Sequence, residues 1–142
     1  MRYLDRLQPL ALLILRLVIG TIMIAHGYAK VFHGFSHVED MVRHIGFPVW
    51  SAYLLAATEF LGGMLMIAGL FTRCVAVAML IDMSVAIWKI QWHNGLTGQG
   101  GVEFPLSVAA IAFALIFFGA GAVSLDHSLR GAGQRSSNEK VV

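Results

Sequence analysis

The stretch Val49–Ile90, VWSAYLLAATEFLGGMLMIAGLFTRCVAVAMLIDMSVAIWKI, decides the fold. It holds two apolar runs, Val49–Leu70 and Cys74–Ile90, parted only by Phe71-Thr72-Arg73. A helix rises about 1.5 Å per residue, and about 20 residues (range roughly 17–25) cross a hydrocarbon core. Both runs qualify, the second narrowly. So short a link forces the two helices to lie side by side and antiparallel. Two further runs flank this hairpin, Pro9–Ala29 and Phe104–Val123.

Composition agrees with a membrane solvent. Of 142 residues 58% are apolar and 13% charged, with a mean hydropathy of +0.75. An ordinary soluble domain carries about 25% charged residues. There are too few charges here to coat a water-soluble surface, a coiled coil or a disordered chain. The expected fold is an all-α membrane protein: an antiparallel four-transmembrane-helix bundle forming one domain over 1–127, with spans at 9–29, 49–70, 74–90 and 104–123. Residues 128–142 are polar and read as a disordered cytoplasmic tail. The first run reads as an uncleaved span, because Arg16 interrupts it and His26-Gly27-Tyr28-Ala29-Lys30 is a poor signal-peptidase site.

Orientation follows from basic residues. Arg2, Arg6, Arg73, Arg130, Arg135 and Lys140 fall on one side, Lys30, Arg43 and Lys89 on the other. Both termini are therefore expected in the cytoplasm. Tyr28, Phe32, Phe47, Trp50, Tyr53, Trp88 and Trp92 mark the outer boundary. In the loop 31–48, Val38, Met41, Val42 and Ile45 recur at helical spacing and predict a short interfacial helix. The second outer loop, Asn94–Gly101, is glycine-rich and reads as a turn. The net charge of +2 is scattered at the ends of apolar runs, which argues against a nucleic-acid partner.

The chemistry lies in charges inside the apolar runs: Arg16, Glu59, Asp82 and Lys89, with His26 near a span end. Each costs at least about 2.5–3.5 kcal/mol at the centre of a span, so they are expected to face inward and pair. Counted from the cytoplasmic side, Arg16 and Asp82 lie roughly 10–12 Å deep and Glu59 roughly 16 Å. His26, Lys30, Lys89 and His93 form an outer layer. Arg16 is thus expected to pair with Glu59 or Asp82. One cation against two carboxylates leaves a charge uncompensated, and a carboxyl in hydrocarbon tends to take up a proton, which opens a route to proton or redox chemistry. The alternative is that the pair simply locks the bundle.

His26 and His93, on different spans, are candidates to ligate haem or hydrogen-bond a quinone carbonyl, with Trp92 beside them, or they are plain interfacial donors. His33 and His37 have i, i+4 spacing, but without a supporting motif no metal site is expected. The chain has one cysteine, Cys74, so internal dithiol chemistry is excluded.

Four pieces of the chain resemble the DoxX family of small four-span membrane proteins. They are Arg16-Leu-Val-Ile-Gly20, His26-Gly27-Tyr-Ala-Lys30, Glu59-Phe-Leu-Gly62-Gly63 with Gly69-Leu70, and Gly119-Ala-Gly121-Ala-Val-Ser-Leu125-Asp126. The resemblance spans about residues 10–127 and implies an inner-membrane protein. It also implies links to thiosulfate:quinone oxidoreductase and to membrane complexes with a superoxide dismutase and a sulfurtransferase. Arg16, His26, Lys30, Glu59 and Asp126 match the family's recurring polar positions.

The expected function is a redox-associated subunit, at most an accessory to a quinone-linked oxidoreductase. It would bind quinone or organise oxidative- and thiol-stress partners, with Arg16 and Glu59 as the buried pair, Asp82 and Lys89 tuning it, and His26 as donor. The alternatives are a non-catalytic scaffold or cargo-binding protein acting through Val31–Pro48, or a small transporter if the chain forms a homo-oligomer.

Overall fold

The computed structural model describes residues 6–129, all helix and connecting turns, with no strand among them. The elements are α1 (Gln8–His33), α2 (Phe35–His44), α3 (Trp50–Ala68), α4 (Thr72–Val85) and α5 (Glu103–Phe118). Beyond Val85, α4 widens into a π-helical segment (Ala86–Gln91) and ends in a 3-10 turn (Trp92–Asn94). Three helical runs, Gln8–His33, Trp50–Ala68 and Thr72–Asn94, are long and apolar enough to cross a membrane, and α5 is a shorter apolar helix. The expected tail falls mostly outside the described residues.

Helix α1 packs on α3, and α4 on α5. Glycines set the first contact. A Cβ on Gly20 would meet the Gly63 carbonyl at 2.8 Å, and one on Gly27 would meet the Phe60 amide nitrogen at 2.5 Å. Rising numbers on α1 face falling numbers on α3, so the two run antiparallel. Small residues permit this approach where lipid supplies no hydrophobic drive between helices. The shared core is made by Ile19 and Met23 of α1, Met66 of α3, Met79 of α4 and Leu115 of α5, each at most 1% exposed. Leu10, Ile14, Leu54, Leu61, Ile81, Phe113 and Phe117 point outward, an apolar surface suited to lipid rather than water.

Helix α3 ends in a Schellman turn. The Leu70 amide donates to the Leu65 carbonyl and the Gly69 amide to Met66, with Gly69 at φ +67°. Helix α5 stops at Phe118, although the apolar pattern runs on to Val123. Gly119 and Gly121 take positive φ, and the chain folds back across the ends of α1 and α4. Arg73 completes this end by donating to the Phe117 carbonyl at 3.2 Å. Helix α2 is amphipathic: Val38 and Val42 are buried against Ala52 of α3, while His37, Asp40, Arg43 and His44 are exposed.

Candidate functional site

The buried charges separate into two clusters near opposite ends of α1. In the first, Lys30 of α1 is ion-paired with Glu59 of α3. In an α-helix every side chain leans toward the helix N-terminus. For antiparallel α1 and α3 that tilt carries Lys30 and Glu59 toward each other across the Gly27–Phe60 contact. Glu59 is 3% exposed. Asp82 of α4 lies within electrostatic range of both Glu59 and Lys30. Lys30 contacts the Glu59 carboxylate directly, with Asp82 beyond ion-pair contact, and each acid keeps one buried oxygen, Glu59 Oε2 and Asp82 Oδ2, with no hydrogen-bond partner.

The second cluster corrects the expected pairing of Arg16. Arg16 is 1% exposed, but it binds neither Glu59 nor Asp82. Its guanidinium donates to the Val123 carbonyl and feels the Asp126 carboxylate. The same tilt explains this: Arg16 leans away from Glu59, toward the end of α1 where residues 119–126 fold over. Gly69 makes room, since a Cβ there would overlap Arg16 Nη1. Asp126 in turn accepts hydrogen bonds from the amides of Phe71 (2.8 Å) and Thr72 (3.0 Å), and its own amide donates to the Gly69 carbonyl. It caps α4 from 54 residues away, and it holds Phe71 at φ +51°, a conformation uncommon for a bulky residue. Nothing local in the sequence signals this long-range cap.

The outer candidates are not drawn into the first cluster. Past Val85 the wider π turn shifts the register, and Lys89, expected to tune the buried pair together with Asp82, is not in contact with it. It is exposed and sits over the Trp88 ring at 4.4 Å. His93 and Trp92 are exposed in the 3-10 turn. His26 is exposed on α1 and stacks on Phe104 of α5, ring centroids 4.8 Å apart. His33 ends α1 and His37 lies in α2, so their i, i+4 spacing is broken at Gly34. Among the described residues no group of three or more His, Cys, Asp or Glu is arranged to hold a metal. Cys74 is exposed and lines a cleft of about 430 Å³ with Arg73, Asp126 and His127.

These features define a small all-helical membrane protein with a Lys–Glu–Asp cluster around the buried Glu59 and a closing loop latched by Arg16 and Asp126. The chain belongs to the DoxX family, whose model matches residues 11–92. It is 33% identical over 103 residues to a Bacillus subtilis protein named "Putative oxidoreductase CatD", covering 72% of this chain and 76% of that one. It is 29% identical over 135 residues to an uncharacterized Haemophilus influenzae protein, covering 89% and 96%. No solved structure matches the chain significantly. The five polar positions that carry the resemblance fall into this geometry: Lys30 with Glu59, Arg16 with Asp126, and His26 apart at the α1–α5 seam.

Proposed function

We propose that this chain is a redox-associated subunit of the inner (plasma) membrane, crossing it four times with both termini in the cytoplasm and α2 lying on the outer surface. In this reading it binds a quinone or organises redox partners beside one, and the relative named as an oxidoreductase supports that direction. The observation that carries the reading is the Lys30–Glu59–Asp82 cluster with its two unpartnered carboxylate oxygens. Buried polar atoms left without partners are rare in structural cores, and ionisable groups inside a span mark proton and substrate paths.

The residues at the α1–α5 seam fit a quinone head. His26 is an exposed imidazole that can donate to a carbonyl oxygen, and Phe104 is an aromatic wall beside it. A bound quinone would supply two-electron acceptance with uptake of two protons, the electrons coming from a partner's donor. Glu59 and Asp82 hold or pass a proton at Oε2 and Oδ2, and Lys30 fixes the orientation of Glu59. The test is quinone-linked electron transfer in proteoliposomes. Glu59→Gln keeps the shape of the side chain and is expected to slow transfer at least about a hundredfold, the lower range for loss of a proton-transfer group. A wild-type rate rejects the assignment.

A second reading, a non-catalytic scaffold, rests on α2. Its exposed face carries His37, Asp40, Arg43 and His44, a polar face available to another protein. Scrambling those four residues should abolish recovery of a co-purifying partner with the helices intact. Unchanged recovery removes this reading.

A further inference from the structure

A cleft of about 530 Å³ lies between α2 and the π-helical end of α4, lined by His37, Asp40, Met41, His44, Lys89 and Ile90. We propose that it binds the headgroup of a zwitterionic phospholipid of the phosphoethanolamine type. The π segment is what builds it. A π turn inserts an extra residue into the helix and is frequent at functional sites. Here it brings the consecutive residues Lys89 and Ile90 to the same cleft while Trp88 turns outward, 68% exposed. The Lys89 ammonium rests over the Trp88 ring at the edge of this segment, 4.4 Å from its centroid, and Lys89 itself lines the cleft. Gln91, in the same segment, has a buried Oε1 without a partner.

The lining has the charge layout of a zwitterion. Lys89, with the imidazoles of His37 and His44, supplies the donors a phosphate needs. Asp40 supplies an acceptor for an ammonium and would repel a purely anionic ligand. Met41 and Ile90 give the apolar floor that acyl chains require and a free phosphate does not. The inference rests on α2 lying at the membrane surface, as proposed above.

The test starts from protein in nanodiscs of mixed phosphatidylethanolamine and phosphatidylglycerol, released into mild detergent and weighed by native mass spectrometry. The wild type should retain one phosphatidylethanolamine. Lys89→Ala should lower retention about tenfold, the order of one charge-assisted hydrogen bond, and Lys89→Arg should restore it. Asp40→Asn should turn the preference toward phosphatidylglycerol. Retention indifferent to both Lys89→Ala and Asp40→Asn overturns the site. Soluble phosphoethanolamine that binds lipid-free protein as tightly as the lipid does overturns the lipid assignment in favour of a soluble ligand. Placement is read separately, from labelling of a Glu39→Cys thiol in a Cys74→Ser background with a membrane-impermeant maleimide on intact cells. A wild type that retains no phosphatidylethanolamine while that thiol is reactive rejects the cleft and leaves the topology standing.

Discussion

Lys30 and Glu59 are worth most as a pair. Removing one partner of a buried ion pair strands the other charge, whereas replacing both with apolar or neutral groups of like size is often harmless. Lys30→Met should cost about 2–4 kcal/mol, below the cost for a fully buried pair because its side chain is 26% exposed. Lys30→Met combined with Glu59→Gln should recover most of that loss. Chemical unfolding in detergent measures both, and a double variant no more stable than the single one would show that the pair is not coupled. Each of these residues is visible in the sequence as a polar position in apolar surroundings. Their partners are not, because depth counting places Arg16 and Glu59 in one inner layer and ignores the direction in which side chains lean. That direction sends Arg16 toward Val123 and Glu59 toward Lys30.

Among the helices, the contact of α1 with α3 depends on particular glycines. Gly27→Ala pushes a Cβ to 2.5 Å from backbone, and such overpacking costs about 1–3 kcal/mol. Gly62→Ala meets only Val75 Cγ1 at 3.4 Å and Met79 Cε at 3.6 Å, so the better helix former should be neutral or stabilising by up to about 1 kcal/mol. A matched pair of thermal melts separates the two, and equal effects would mean that the glycines serve flexibility rather than approach. At the α3–α4 turn, Asp126→Ala should cost about 1 kcal/mol, as for loss of a helix cap, and should speed hydrogen exchange at the Phe71 and Thr72 amides specifically. Exchange unchanged at those two amides would remove the capping role. Helix existence was legible from apolar runs. The π segment was not, because periodicity in so short a stretch does not separate 3.6 from a wider turn. Nor was the stop at Phe118, because residues 119–123 stay apolar while two glycines turn the chain back.

For the molecule as a whole, the class of fold was legible from composition alone, since 13% charged residues cannot solvate this much apolar surface. Direction across the membrane is proposed from the charge bias alone. If both ends lie in the cytoplasm, a fluorescent protein fused after Leu129 should fluoresce and alkaline phosphatase fused after Leu96 should be active. Reversed activities would invert the topology. The separation of the charges into two clusters was beyond the sequence, because it depends on how α1, α3 and α4 come together and on a loop that closes over their ends.

The order of synthesis gives the Asp126 contact a further meaning. The turn that joins α3 to α4 is tied by a carboxylate 55 residues downstream of Phe71. A ribosome making this chain has therefore released both helices of that hairpin, and all of α5, before the group that fastens their turn is available. The hairpin must enter the bilayer with Phe71 unsecured, and assembly is completed last, by the returning end of the chain. Chains cut short before Asp126 would still insert their apolar helices, yet leave the join between α3 and α4 open to cellular proteases.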